Sequence, residues 1–230
     1  MSALEARGSI ERATIRVAIV EDHALLAHAL ARALCEIGFA ADSVVPAAGQ
    51  EVVASVASFR PDVALLDLDL GDLGSSVPLI PGLRALGCKV VVVTGEGSRA
   101  RWGECVEAGA DAVVTKAVSF DELLERIARI LDDHEEIVRA EQEELRACAR
   151  EHRRHEKRRR ERFERLTPRE CDVLDALMQG RTAEEIASDT FVSVTTVRSH
   201  IRSVLQKLEV NSQLAAVASA IRCHWRIPQD

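Results

Sequence analysis

The chain has 230 residues, 47% of them apolar and 29% charged, and a formal net charge of −7. That length supports one large domain or two modest ones with a real core, and the apolar share excludes wholesale disorder. The negative balance excludes a protein coated with nucleic acid, so any DNA contact must come from a local basic stripe.

Residues 1–14 are polar and lack the apolar core of a signal peptide, and are read as a flexible tail. From Ile15 short β-branched runs alternate with helical periodicity. Ile15–Val20 is the first strand. Leu26, Leu30, Ala33, Leu34 and Ile37 recur at helical spacing, and Gly38 stops that helix. A weaker strand near Ala40–Val45 precedes a helix carrying Val52, Val53 and Val56, which ends at Arg60-Pro61. Strand Val63–Asp67 follows, then a helix marked by Leu79, Ile80, Leu83 and Leu86, then strand Val90–Thr94. Trp102, Cys105 and Val106 lie on a fourth helix closed by Gly109, Ala112–Thr115 is the fifth strand, and Ser119 with Glu122 caps a fifth helix. Continuous apolar strands alternating with helices predict a parallel sheet covered on both faces over residues 15–131.

Residues 132–163 contain no Gly or Pro and are crowded with charge. Pairs such as Glu135–Arg139, Glu156–Arg160 and Glu161–Arg165 have the i,i+4 spacing of a solvated linker helix. A seam through Leu124, Ile127, Leu131, His134, Val138, Glu141, Leu145, Cys148, His152 and His155 also fits a weak coiled coil. Residues 164–230 read as a compact all-helical unit. Thr167-Pro168-Arg169-Glu170 and Thr182 with Glu185 are capping boxes, Ser193 caps a helix through Leu208, and Ser212 opens a last one to about Arg222.

Ligands of an open parallel sheet bind outside the carboxyl ends of its strands. Glu21, Asp22, Asp67, Thr94 and Lys116 stand at those ends. Three converging carboxylates repel one another unless they hold a hard cation or share protons. Mg²⁺ suits such a set, a carboxylate can act as nucleophile toward phosphorus, and a lysine and a threonine can contact phosphoryl oxygens. The six cysteines at 35, 88, 105, 148, 171 and 223 form no CxxC pair, which fits small core or surface residues in a reducing cytosol. No apolar run reaches the ~18 residues of a membrane span. A cytoplasmic protein with no membrane contact is expected.

Order and spacing of these residues resemble the receiver domain of two-component response regulators over Ile15–Leu131. The resemblance implies a flavodoxin-like (CheY-like) α/β fold with strand order 2-1-3-4-5. It also implies Mg²⁺ on Glu21, Asp22, Asp67 and the backbone carbonyl of Asp69, phosphorylation of Asp67 by a histidine kinase, and phosphoryl contacts from Thr94 and Lys116. Two positions depart from the pattern. Ala117 stands where the family has proline and Val113 where it has an aromatic switch residue, which leaves room for a phosphorylation-independent receiver. Asp67-Leu68-Asp69 with Thr94 and Lys116 also resembles haloacid dehalogenase-like phosphatases. Those enzymes need an acidic pair beyond the lysine, and the only Asp-Asp pair there, Asp132-Asp133, falls on the charged helix.

The helix after Ser193 has an apolar face of Val194, Val197, Ile201, Val204, Leu205 and Leu208. Arg198, Ser199, Arg202 and Lys207 lie elsewhere on it, and no acid occurs before Glu209. One packed face and one basic face suit the major groove of DNA. Leu166-Thr-Pro-Arg-Glu170, Glu185-Ile-Ala187, Ser193, Thr196-Val-Arg-Ser-His200 and Lys207-Leu208 resemble the LuxR/NarL-type helix-turn-helix. The resemblance implies Arg198, Ser199 and Arg202 at base edges of double-stranded DNA and Thr182, Ser193, Thr196 and Lys207 at phosphates. It further implies a homodimer joined through the last helix. Both modules together resemble the NarL/FixJ-type response regulators, which are DNA-binding proteins and not enzymes.

Overall fold

The computed structural model describes residues 15–44, 49–131 and 135–227. The expected tail at 1–14 and the residues Asp132, Asp133 and His134 lie outside them. The chain divides into two units, residues 1–150 and 151–230.

In the first unit β1 (Arg16–Val20), α1 (Ala24–Glu36), β2 (Ala40–Val44), α2 (Gly49–Phe59), β3 (Val63–Asp67), α3 (Ile80–Ala85), β4 (Lys89–Thr94), α4 (Arg99–Ala108), β5 (Ala112–Thr115) and α5 (Phe120–Leu131) follow in chain order. The five strands form one parallel sheet in the order β2-β1-β3-β4-β5. Strand β3 is buried at every residue and β4 at all but two, as their continuous apolar runs require. Val56, Ile80, Leu83, Cys105 and Val106 fill one face of the sheet. Leu34, Phe39, Leu123 and Ile127 fill the other. Each fully buried aliphatic side chain contributes roughly 1.5–3 kcal/mol by leaving water. Gly109 closes α4 with φ 113°, a left-handed conformation that a Cβ would penalise.

The charged segment forms α6 (Glu135–Phe163), a separate helix whose first half belongs to the first unit. Leu145 and Ala149 are buried, and Leu145 joins the core of the first unit. The division between units therefore falls inside the expected linker, because its early apolar positions find a partner surface on α4. Two of the expected pairs take other partners, one at i,i+3 spacing and one still at i,i+4. Glu156 pairs with Arg159 at 2.9 Å, and Glu161 stands 3.9 Å from Lys157.

The second unit contains the end of α6, α7 (Pro168–Met178), α8 (Ala183–Thr190), α9 (Val194–Leu208) and α10 (Gln213–Arg222). Thr167 and Thr182 form complete capping boxes with Glu170 and Glu185. Ser193 and Ser212 accept from Thr196 and Ala215. Each such cap is worth about 1 kcal/mol. Leu174, Val204, Leu208, Ala216 and Phe163 form one core, and Phe163 stacks on Trp225 at 5.9 Å.

Candidate functional sites

The acidic crevice lies at the carboxyl ends of β1, β3, β4 and β5. Glu21, Asp67 and Thr94 are all buried. Lys116 reaches across from the end of β5, its ammonium 2.7 Å from Asp67 Oδ2 and 2.8 Å from Glu21 Oε2. Thr94 Oγ1 accepts from the Glu96 amide at 3.0 Å, so its own hydroxyl hydrogen remains available. The Asp69 amide points at Asp67 Oδ1 from 3.4 Å, while the Asp69 side chain is exposed.

Burial pushes the Asp67 carboxyl above the ordinary carboxylate range, assisted by the charge of Glu21 and opposed by the hydrogen bond from Lys116. Burial acts against the charge on Lys116, but its hydrogen bonds to Asp67 and Glu21 prevail and raise it. Burial also opposes the charge on Asp22. The hydrogen bond to Glu21 and the charge of His23 outweigh it and lower that group.

The donor set fits a hard divalent cation. Ligand atoms of Glu21, Asp22, His23 and Asp67 lie within 4.8 Å of one another. Asp22 Oδ1 is buried, has no hydrogen bond of good geometry and has His23 Nδ1 as a charged neighbour at 2.8 Å, so it is an oxygen that an ion could take up. At Gly71, which sits at φ 58°, a Cβ would stand 2.7 Å from Asp22 Oδ2, so glycine keeps that oxygen accessible. His23 is a participant that sequence reasoning missed, although it directly follows the acidic pair. Its Nδ1 is bonded to Glu21 Oε1 at 3.0 Å and lies 2.8 Å from Asp22 Oδ1. Those two carboxylates raise its affinity for a proton.

In the second unit α9 buries Val197, Ile201, Val204 and Leu208 and exposes Arg198, Ser199 and Arg202. Two expectations change here. Lys207, expected at a phosphate, also has a partner within the protein, its ammonium lying 2.6 Å from the buried Glu170. That carboxylate also accepts from Ser203 at 2.5 Å and from the Thr167 amide at 2.7 Å. Burial alone would raise Glu170, but Lys207, Ser203 and Thr167 bring it down to about 2. The sequence presented Glu170 only as part of a capping box, and nothing local to Lys207 signals the pairing. Arg198 has no acid in its own helix, as expected, but Glu184 of α8 reaches it at 2.8 Å. The acids and bases of this unit are thus less segregated than one-dimensional charge patterning implies. Thr182, Ser193 and Thr196 are exposed around the starts of α8 and α9, where Ser193 Oγ and Thr196 Oγ1 lie 2.8 Å apart.

A doubly covered parallel sheet with an acid–lysine crevice, followed by a capped helix-turn-helix, defines a receiver joined to a DNA-binding module. The model of the response regulator receiver domain matches residues 17–128, and that of bacterial regulatory proteins of the luxR family matches residues 164–220. A nitrate/nitrite response regulator protein homolog of Haemophilus influenzae is 30% identical over 205 residues, which span 88% of this chain and 94% of that protein. The response regulator protein VraR of Staphylococcus aureus is 26% identical over 217 residues, spanning 91% and 97%. Full-length FixJ from B. japonicum superposes with a TM-score of 0.45 at 19% identity, over 92% of this chain and 98% of that one. The chain belongs to the NarL/FixJ-type response regulators, a receiver followed by a LuxR-type helix-turn-helix, and is a DNA-binding transcriptional regulator. Among the described residues no helix is long and apolar enough to cross a membrane.

Proposed function

We propose that Asp67 takes a phosphoryl group from a sensor histidine kinase and that this modification controls DNA binding by a homodimer. The observation that carries the reading is the Lys116 ammonium held between Asp67 and Glu21. An Asp67 oxygen attacks phosphorus, the bond from phosphorus to the donor's imidazole nitrogen breaks, and a proton from solvent meets the departing nitrogen. Lys116 then turns from the lost carboxylate charge to a phosphoryl oxygen, and the Thr94 hydroxyl donates to another. Mg²⁺ on Glu21, Asp22, Asp67 and the Asp69 carbonyl would neutralise the crowded carboxylates and the incoming oxygens.

In the second unit α9 enters the major groove. Ser199 and Arg202 address base edges, Arg198 joins them by exchanging Glu184 for DNA, and Thr182, Ser193 and Thr196 meet phosphates. Dimerisation doubles the phosphate contacts and steepens the dependence on salt.

Incubation with acetyl phosphate and Mg²⁺, read on a phosphate-affinity gel, should retard the wild type and leave Asp67→Asn unshifted. An unretarded wild type removes the phosphoacceptor reading. Selection of bound duplexes from a random pool then identifies the operator.

A further inference from the structure

The first half of α6 lies on the α4–β5–α5 side of the receiver with little slack. At Gly103, in the middle of α4, an added Cβ would stand 2.1 Å from the Leu145 carbonyl oxygen and 2.7 Å from Ala149 Cβ. Only a glycine facing small neighbours permits that backbone approach. Leu145 packs in the same core as Val113 and Trp102, so a leucine from α6 covers the β5 position where related receivers carry an aromatic. Around it the rim is polar. Arg99 pairs with Glu144 at 2.9 Å, Arg126 with Glu141 at 2.9 Å, and Gln142 donates to the Asp111 carbonyl at 2.9 Å. A half-open pocket of about 180 Å³ lies at the edge of the contact, lined by Trp102, Val113, Arg126, Val138 and Leu145 among others. Two buried apolar side chains, exposed ion pairs and an open pocket at the edge make a contact that is specific but not strongly held.

The same helix α4 is tied to the acidic crevice. Thr94 accepts from the Glu96 amide, the Glu96 carbonyl accepts from the Trp102 indole at 2.8 Å, and the Glu96 carboxylate holds Arg101 at 2.7 Å. Ser98 between them caps α4. Drawing Thr94 toward a group on Asp67 pulls this loop and the first turns of α4. Because Gly103 touches Leu145 backbone to backbone, α4 cannot slide without displacing α6.

We propose that residues 138–150 of α6 form a strap that closes the α4–β5–α5 face of the receiver, and that phosphorylation of Asp67 releases it. The proposal rests on the phosphoacceptor reading above. It gives the receiver an output element of its own at the position where Val113 replaces the usual aromatic. While the strap is docked, no second chain can occupy that face.

Amide hydrogen exchange on the full chain, with and without beryllofluoride and Mg²⁺, tests the proposal. The expected result is altered exchange at residues 94–98 together with exchange about tenfold or more faster at 138–150, both absent in Asp67→Asn. A response at 94–98 with 138–150 unchanged overturns the strap and leaves the phosphoacceptor standing. No response at either segment overturns both. Gly103→Ala supplies an arm that needs no phosphoryl mimic, since its methyl cannot coexist with the docked Leu145 carbonyl. It should speed exchange at 138–150 in the free protein, and protection equal to wild type overturns the proposal. Should that variant fail to fold, Leu145→Ser, on the strap itself, makes the same measurement.

Discussion

The carboxylate of Glu170 holds the ammonium of Lys207 at 2.6 Å, joining the first turn of α7 to the last turn of α9. One charge pair thus fixes the far end of α9 against α7. Glu170 is buried, and Ser203 and Thr167 satisfy its remaining lone pairs, which is the condition under which a buried ion pair holds.

A pH dependence follows. The Glu170 carboxyl falls from an ordinary 4.5 to about 2 on folding. A depressed carboxyl contributes stability that is present above about 4.5 and is lost as pH falls toward about 2. At about 1.4 kcal/mol per pH unit the contribution is on the order of 3 kcal/mol. Urea denaturation of the second unit should weaken across that window in wild type, and Glu170→Gln should flatten the profile while lowering stability at pH 7. Equal slopes for the two proteins would remove Glu170 as the cause.

Lys207→Ala and Arg202→Ala should separate structure from recognition. Arg202 is exposed and forms no ion pair among the described residues, so its loss should cost about 1–3 kcal/mol of specific DNA binding without lowering stability. Lys207→Ala leaves a buried carboxylate unpaired and should destabilise the unit by about 3–5 kcal/mol. In salt titrations of DNA affinity it should leave the slope unchanged. A slope reduced by about one phosphate for Lys207→Ala would show a direct phosphate contact instead.

Mg²⁺ should raise the thermal midpoint of the first unit. Binding to the folded state alone stabilises by about 2.7 kcal/mol at one hundred times the dissociation constant. Asp22→Asn removes the charge of one of the clustered carboxylates and should abolish most of that shift. A Mg²⁺-induced shift of undiminished size in the variant would place the ion elsewhere.

Leu174 is fully buried at the centre of the second core. Leu174→Ala should cost about 2–5 kcal/mol through lost transfer energy and the cavity left behind. The surface substitution Arg169→Ala on the same helix should change stability by less than about 0.5 kcal/mol, since its pair with Asp172 is exposed and 3.6 Å long. Equilibrium denaturation curves for the two variants provide the comparison.

Local rules made much of this protein legible in one dimension. The capping residues Thr167, Thr182, Ser193 and Ser212 stand at their helix starts because a hydroxyl that accepts an orphan amide needs only its next few neighbours. The runs at 63–67 and 90–94 became the central strands β3 and β4 because only a doubly covered sheet buries every residue of such a run. The strand ends then brought Glu21, Asp67, Thr94 and Lys116 to one crevice, since parallel strands all finish on the same side. Tertiary structure decided the partners. Glu170 is 37 residues from Lys207, Glu184 is 14 from Arg198, and Gly103 meets Leu145 across a helix contact with no periodic signature. Charges act through space and small residues matter only where a second backbone arrives, so neither shows in local spacing. The sequence by itself determined the two modules and the acidic crevice. Only the folded chain decided that Lys207 meets Glu170 and that the charged helix begins as part of the first unit, because both depend on which surfaces the fold brings into contact.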